Sequence, residues 1–352
     1  MKTYFDLVQD LDFRNLVEKK LSIETRALYK IPSTLPMLYR YRPLNEFSIG
    51  DIINDKITFT SIGEFNDAFD GAIHQYGTKE DIEKAAEEKW KELDEAIKAT
   101  GLPNTCLKPD DVIVLYRDYY KDESRLSFWK LDYLGTYVCC FSTDNASTLM
   151  WSHYADSNRG ICAEYDFNTT ESFRQMIFPV AYSHKPIDVS DLLNDEKRQI
   201  CPYPLDVAVL CSALNKASVW SYENEWRLVL FLPFMKKKER RIDSAPLIKP
   251  TKVFLGYHFL KSFFYYDDKN ADEIALASKQ INDFIRLMAH LENNDIPVAV
   301  MTPAIGSYRF IPRKISVDDL LSLIRYKFRN NKPQNMRFYY TVHNQLMDKL
   351  DN

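Results

Sequence analysis

Glycine is scarce in this sequence, which has only 9 glycines in 352 residues, whereas proteins contain about 7% on average. Neither a G-x-G-x-x-G nor a G-x-x-x-x-G-K-[ST] motif occurs. Glycine-rich loops let backbone N–H groups approach phosphates closely, so their absence argues against Rossmann, P-loop and kinase-type nucleotide sites. A nucleotide would instead have to be held by side chains and strand edges.

Cysteine is also sparse, and it follows no metal-binding pattern. The six cysteines contain no C-x-x-C pair and no zinc-type spacing. Cys139, Cys140, Cys162 and Cys211 lie in apolar sequence and are interpreted as small core residues. Because the sequence also lacks a secretory signal pattern and an apolar run near 18 residues, we expect a cytoplasmic protein in a reducing compartment, with no membrane contact.

An excess of basic charge is missing as well. The chain has 46 basic and 50 acidic side chains, for a net charge of −4. This balance argues against a dedicated nucleic-acid-binding protein, although it leaves room for a local basic patch. The aromatic content of 14% indicates a folded protein rather than a disordered scaffold.

The order of short strand and helix patterns predicts an α+β fold. It has a single core of short mixed or antiparallel strands, helical insertions and a C-terminal helical extension. Strands are predicted at 37–42, 56–61, 136–142, 160–166, 178–182, 228–232, 252–256, 296–301 and 308–315. Helices are predicted at 45–54, 78–100, 110–133, 147–155, 272–291 and 316–328. We divide the chain into a helical lead-in (1–36), a core domain (37–260) with a helical insertion at about 78–133, and a mostly helical extension (261–352).

Two carboxylates, Glu223 and Glu225, precede the predicted strand 228–232. Strand side chains two positions apart point to the same face, so these like charges are expected to lie together and to raise each other's proton affinity. Structural strands usually avoid that cost, which makes the pair a candidate catalytic edge. Alternatively, Arg227 neutralises a glutamate on an exposed strand start.

Two arginines, Arg40 and Arg42, alternate with apolar residues in the first predicted strand. Both guanidinium groups would lie on one strand face, where they can bind a single phosphate or carboxylate. The alternative is a surface strand with two solvated arginines.

A third polar cluster follows the strand 136–142. Ser142 and Thr143 end this strand, where their hydroxyls can orient a ligand or cap the next helix. In that helix Trp151 or Tyr154 can stack on a planar ring, and His153 can donate a hydrogen bond to it. The alternative is an ordinary packed helix with a hydrogen-bonded histidine.

The same region offers only a weak set of metal ligands. His153, Asp156 and Glu164 lack a partner motif that would close a coordination shell, so no metal site is predicted. A metal-dependent nuclease or hydrolase that uses these residues with Glu223 and Glu225 stays open as an alternative function.

The motifs together resemble an uncharacterised bacterial family of unknown function. They are Leu38-Tyr-Arg-Tyr-Arg42, the block W-S-H-Y-A-D-x-x-R-G-I-C-x-E-Y-D from Trp151, W-x-x-E-x-E-W-R from Trp220, and Phe254-Leu-Gly256. The resemblance covers roughly residues 37–260.

The order of these motifs is in turn similar to that of ADP-ribosyltransferases. That likeness implies a split sheet and NAD as substrate. It implies that Arg40 or Arg42 contacts a phosphate or ribose, and that Ser142 or Thr143 supports the nicotinamide ribose. Tyr154 or Trp151 would stack on nicotinamide, Glu225 would bond the ribose 2′-hydroxyl, and Glu223 would orient or deprotonate the acceptor. Arg227 is included among the cofactor-binding candidates and His153 among the catalytic ones.

The function predicted from this likeness is transfer of ADP-ribose from NAD to a protein or nucleic acid, or hydrolysis of NAD. Such domains often act as toxins or phage-defence effectors. A third function to consider is a non-catalytic sensor or adaptor, in which the polar cluster binds a ligand and the C-terminal helices bind a protein partner.

Overall fold

The computed structural model describes residues 34–67, 69–73, 91, 95, 129–130, 136–169, 177–184, 210–231, 241–243, 248–329 and 332–351. Nearly all of the predicted helical lead-in (1–36) and of the predicted helical insertion (78–133) lies outside these residues. No helix among the described residues is both long enough and apolar enough to span a membrane.

The elements described with both bounds are short strands, several 3₁₀ helices and five α-helices. The strands are β1 (Leu38–Arg42), β2 (Thr58–Ser61), β3 (Ala72–Ile73), β4 (Trp129–Lys130), β5 (Thr136–Ser142), β6 (Ile161–Tyr165), β7 (Ile177–Pro179), β8 (Ala181–Ser183), β9 (Asn215–Ala217), β10 (Glu225–Phe231), β11 (Arg241–Asp243), β12 (Lys252–Leu255), β13 (Phe264–Tyr265), β14 (Val298–Pro303), β15 (Phe310–Lys314) and β16 (Gln334–Asn335). The helices are α1 (Glu46–Ile53), α2 (Thr148–Tyr154), α3 (Ala271–Asn293), α4 (Val317–Lys327) and α5 (Tyr339–Asp351).

Ten of these strands form one mixed sheet, which confirms the predicted α+β class. Its main path runs β11-β2-β5-β1-β6-β12-β14-β15, and β10 and β7 branch from β5. Among the described strands of this sheet, only β12 and β14 pair in parallel. The predicted strand pair near the C-terminus is confirmed as β14 and β15, which are antiparallel.

The sheet branches at β5. One edge of β5 pairs with β10 along its whole length, from Thr136 to Ser142. The other edge pairs with β2 at Tyr137 and Val138, and with β1 at the single register pair Tyr39–Ser142. Strands β1 and β2 therefore follow one another along that edge, and β1 leaves β5 to pair fully with β6.

The two faces of the sheet bury different sets of side chains. One, which we call the helical face, carries Leu38, Val253 and Val300, and packs in the large core with α1, α3, α4 and α5. The other, which we call the α2 face, carries Tyr41 and Phe254 and packs against α2 in a smaller apolar cluster. Since directly opposed residues of paired strands point to the same side of a sheet, the register assigns the paired residues of this ten-stranded sheet to one of the two faces.

The segment predicted as a C-terminal extension belongs to the main body of the protein. Strand β14 lies between β12 and β15 in the sheet, and the apolar sides of α3, α4 and α5 pack on the helical face. Helix α3 begins after Asn270, whose side chain accepts a hydrogen bond from Glu273 N. Residues 261–352 therefore add strands to the main sheet and side chains to the large core.

A strained turn connects α2 to β6. Asp156, Ser157 and Asn158 all have positive φ, of 47°, 54° and 68°. Residues other than glycine seldom adopt this backbone conformation. Gly160 follows at a point where a Cβ would lie 2.2 Å from the Arg42 carbonyl oxygen. A Cβ on Gly256 would likewise lie 2.3 Å from the Asn158 carbonyl oxygen. These two glycines allow β1, β6 and β12 to meet closely at this end of the sheet.

Candidate functional site

The carboxylates of Glu223 and Glu225 converge on one buried cation, Lys216 of β9. Its Nζ lies 2.5 Å from Oε2 of Glu223 and 3.0 Å from Oε2 of Glu225. All three side chains are at most 5% exposed. The two acids therefore meet as the sequence predicted, but through a shared ammonium group that separates their charges.

The reason for this convergence differs from the predicted strand alternation. Glu223 is the last residue of a 3₁₀ helix, Ser218–Glu223, and only Glu225 begins β10. Asn224 between them is left-handed, with φ 45° and ψ 50°. The prediction that strand periodicity places both acids on one face was therefore wrong, because a helix end and a left-handed residue bring them together instead.

Arg227 lies beneath the two glutamates and is fully buried. Its Nη1 and Nη2 bind Asp70 in bidentate fashion, both at 2.6 Å. Nε and Nη2 donate to Glu225 at 2.7 and 3.0 Å, and Nη1 also donates to the Ala213 carbonyl. A guanidinium has five N–H donors, so Arg227 has none left for the ligand that the sequence assigned to it.

The two glutamates differ in their affinity for protons. Burial alone would raise the pKa of Glu225, but Arg227 and Lys216 hold that pKa at about 2. Burial raises the pKa of Glu223, and Lys216 offsets this only in part. Glu225 is therefore the stronger acid of the pair and Glu223 the weaker one.

The charges of this network do not cancel. Among the described residues it joins three carboxylates to two cations, so one negative charge is left over; its members are Asp70, Lys216, Glu223, Glu225 and Arg227. Glu225 has both oxygens bound to cations. Glu223 has one oxygen on Lys216, while the other accepts a hydrogen bond from the Tyr154 hydroxyl at 2.6 Å. The excess charge is consequently greatest at Glu223.

Partly exposed aromatic side chains surround Glu223. Tyr154 bonds its carboxylate, and Tyr222 precedes it in the 3₁₀ helix. His153 is exposed and packs edge-on to Tyr222, with 3.3 Å between Nδ1 and the hydroxyl. The Lys216 ammonium lies 5.2 Å from the centre of the Trp220 ring. His153 and Tyr154 therefore lie in this cluster, together with Trp220 and Tyr222, which the sequence analysis did not assign.

Ser142 and Thr143 lie at the end of β5, directly beside the glutamates. Ser142 pairs with Glu225 across the sheet. Its buried hydroxyl donates to the Glu223 carbonyl at 2.6 Å and accepts from Asp144 N. Ser142 thus positions the Glu223 backbone rather than facing a ligand. Thr143 is exposed, and its backbone N–H donates to the Asn224 carbonyl.

The two arginines of β1 lie on the other side of the sheet, contrary to the predicted common site. Glu225 and Tyr39 both oppose Ser142, which places them on the α2 face. Arg40 alternates with Tyr39 and therefore points to the helical face, where its Nη2 donates to the Thr58 carbonyl at 2.6 Å. Arg42 shares that face and lies 3.9 Å from Asp51. The sheet separates both guanidiniums from Glu223 and Glu225.

Trp151 is also inaccessible to a ligand. Its ring is fully buried in the α2-face cluster, edge-on to Tyr41 with 5.2 Å between ring centres. Its Nε1 donates to the Asn145 carbonyl at 2.8 Å. Trp151 therefore exposes no ring surface on which a ligand could stack, contrary to the prediction.

The suggested metal ligands do not form a site. Asp156 pairs with Arg159 at 2.8 Å, and Glu164 accepts a hydrogen bond from Thr251. Within the described part of the chain, no three His, Cys, Asp or Glu side chains are arranged to hold a metal ion. Lys216 instead lies between the carboxylates of Glu223 and Glu225.

Sequence reasoning missed two members of the network, Lys216 and Asp70. Lys216 follows Leu214 and Asn215, and Asp70 precedes Gly71 in a short turn. The isolated lysine after the apolar run 207–214 could have indicated a buried cation with an acidic partner, since lysine is seldom buried without one. Asp70 gave no such signal, because acids before glycine are common in turns.

Comparison with known proteins gives one match. Residues 150–228 match a family described as a protein of unknown function, DUF2971. No curated protein and no solved structure matches the chain. The matched segment contains most of the cluster just described, namely His153, Tyr154, Lys216, Trp220, Tyr222, Glu223, Glu225 and Arg227.

Proposed function

We propose that this protein cleaves the N-glycosidic bond between nicotinamide and ribose in NAD, and that Glu223 is its catalytic carboxylate. The ADP-ribosyl unit then passes to water or to a protein or nucleic-acid acceptor. The observation that carries the proposal is the buried Glu223 carboxylate, which holds the unbalanced negative charge of the network beneath partly exposed aromatic rings.

The charge of the site suits this substrate. The nicotinamide ring of NAD is a planar cation, and cations bind over the faces of Tyr and Trp rings. Tyr154, Trp220 and Tyr222 supply such rings next to an excess of negative charge. A neutral or anionic ring would lose this electrostatic contribution.

The same charge favours the transition state. As nicotinamide leaves, positive charge builds up on the ribose C1′ and its ring oxygen, and a fixed carboxylate nearby stabilises that oxocarbenium-like state. Nicotinamide leaves as a neutral molecule, so it needs no proton donor. The raised pKa of Glu223, caused by burial, also equips it to take the proton of the attacking hydroxyl or water.

The role of Glu225 in the E-x-E pair therefore differs from the one implied by the likeness to ADP-ribosyltransferases, and the contact with the reacting ribose passes to Glu223. Glu225 is held at both oxygens by Arg227 and Lys216, and its function is to keep Lys216 in place. Ser142 and Tyr154 position Glu223 from its backbone and its carboxylate. Neither Arg40 nor Arg42 takes part, because the sheet separates them from this cluster.

Release of nicotinamide from NAD tests the proposal. The wild-type protein is expected to release nicotinamide, measured by chromatography, and to transfer label from adenylate-labelled NAD when a suitable acceptor is present. Glu223→Gln is expected to lower the rate about 100-fold or more, in line with loss of a group that stabilises the transition state. Glu292→Gln, which changes an exposed acid on α3, is the control and is expected to leave the rate unchanged.

The second candidate function is a sensor that binds a planar cation without reacting with it. Both oxygens of the buried Glu223 carboxylate already have partners, Tyr154 and Lys216, and this favours binding without reaction. Calorimetry with NAD separates the two functions: binding without nicotinamide release, lost in Glu223→Gln, supports the sensor. Absence of both binding and release contradicts both functions.

A further inference from the structure

A second candidate site lies in the C-terminal region, in a recess of about 450 Å³ between α4 and α5. Tyr326 and Lys327 at the end of α4, Arg329 and Lys332 after it, and Phe338 before α5 line this recess. Ligand pockets commonly have volumes of about 300–1,000 Å³, so the recess can hold one nucleotide-sized group. None of the described residues that line it is acidic.

The charge of this segment differs sharply from that of the whole protein. From Arg325 to Arg337 the sequence has five basic residues and no acidic one, although the chain has a net charge of −4. In the described part of the chain, no ion pair joins Lys327, Arg329 or Lys332 to a carboxylate. A concentration of positive charge on an otherwise acidic protein indicates an anionic ligand.

Exposed aromatic rings are interleaved with these cations. Tyr326 is 62% exposed, with Lys327 Nζ 4.9 Å and Arg329 Cζ 5.5 Å from its ring centre. Phe338 is 45% exposed, with Arg337 Cζ 4.9 Å from its ring centre. Each of these two rings would contribute more to the stability of the protein if it were buried than it does in its exposed position. Rings beside cations are typical of surfaces that stack bases while binding the adjoining phosphates.

We propose that this recess binds a nucleotide unit through its phosphate and base, with Lys327, Arg329 and Lys332 on the phosphate and Tyr326 stacked on the base. The unit is supplied either by a single-stranded nucleic acid or by a free nucleotide. This site is separate from Glu223 and its binding does not depend on the function proposed above.

Fluorescence anisotropy with a short labelled single-stranded RNA tests the site in the full-length protein. The wild type is expected to bind, and less tightly as salt rises. Lys327→Gln/Arg329→Gln/Lys332→Gln is expected to weaken binding about 10-fold or more and to make the salt dependence shallower, because phosphate contacts release counterions. Tyr326→Ala is expected to weaken binding about 10-fold with the salt dependence unchanged, since stacking is not ionic.

A charge-matched control is Lys269→Gln/Arg286→Gln/Lys314→Gln, which removes three exposed cations outside the recess. It is expected to bind like the wild type.

Competition with unlabelled ADP distinguishes the two sources of the nucleotide unit. If ADP displaces the labelled RNA, the ligand is a free nucleotide. If the RNA stays bound, the ligand is a nucleic-acid strand. The proposal is overturned if no RNA or ADP binds, or if the control triple variant weakens binding as much as the recess variant. All the substituted side chains are outside the core, and circular dichroism checks that each variant is folded.

Discussion

The Ser142 hydroxyl donates a 2.6 Å hydrogen bond to the Glu223 carbonyl, although the two residues are 81 positions apart in sequence. This bond fixes the end of the 3₁₀ helix against the end of β5. Ser142→Ala is expected to lower the free energy of unfolding by about 1–3 kcal/mol, because it removes the bonds to the Glu223 carbonyl and the Asp144 N–H and leaves both backbone groups without this partner. Because Glu223 would then be less well positioned, kcat for nicotinamide release should fall while KM changes little.

Thr143→Ala is the matched control for Ser142→Ala, since it removes a neighbouring but exposed hydroxyl. Urea unfolding and steady-state kinetics measure both variants. Equal effects of the two substitutions on kcat would contradict a positioning role for Ser142.

Arg227→Lys is expected to destabilise the protein strongly, although the substitution keeps the positive charge. Lysine cannot reproduce the bidentate contact with Asp70 together with the two contacts to Glu225. Breaking a buried ion pair costs about 3–5 kcal/mol, because a buried charge is left without its partner. Arg286→Lys alters an arginine that is 69% exposed and should change the urea midpoint little. A small effect at Arg227 would show that the network is more hydrated than its burial indicates.

Gly160→Ala and Gly256→Ala are expected to destabilise the protein by more than about 2 kcal/mol each, the upper range of overpacking. The added Cβ atoms would lie 2.2 Å and 2.3 Å from backbone carbonyl oxygens, which cannot move without disturbing the sheet. Gly50→Ala is the control, because nothing lies within 4 Å of its added Cβ in α1. It should stabilise the protein by up to about 1 kcal/mol through helix propensity. Thermal unfolding gives the order of the three variants.

Acidification is expected to destabilise the protein in two pH windows, which overlap only between about 4 and 4.5. Burial, with Lys261 and His343 nearby, lowers the pKa of His258 from 6.5 to about 4. Between these values the unfolded chain binds a proton that the folded chain does not, so the stability present above pH 6.5 is lost as the pH falls to 4. Glu225, with a pKa lowered from 4.5 to about 2, adds a second loss between those values.

His258→Gln separates the two windows. This variant should lose less stability than the wild type between about pH 6.5 and 4, while keeping the lower window. The remaining decline in the upper window belongs to His343, whose pKa burial also lowers. Urea unfolding at a series of pH values measures this, and an unchanged slope in the upper window would refute the role of His258.

Local sequence patterns predicted much of the fold. The β-branched and aromatic run 136–142 is β5, and the apolar stripe of 272–291 lies within α3, Ala271–Asn293. These patterns succeeded because each element buries one side with the period of its own structure. They did not show that residues 298–314 complete the main sheet, because strand order depends on contacts between distant residues.

The site was only partly predictable for the same reason. Alternation correctly placed Arg40 and Arg42 on one face of β1, but the register between β1 and β5 decides which face Glu225 shares. Glu223 and Glu225 were recognised as a pair, whereas Asp70 joins Arg227 across 157 positions. A charge pattern in sequence carries no information about such a partner.

The position of β14 bears on how the chain is made. A ribosome that has released only the first 260 residues leaves β12 without its parallel neighbour and the helical face without α3, α4 and α5. Leu38, Val253 and their neighbours would then be open to chaperones and to aggregation. Nascent chains should therefore stay unfolded and protease-sensitive until α5 emerges, and premature termination in the last third should yield no folded fragment.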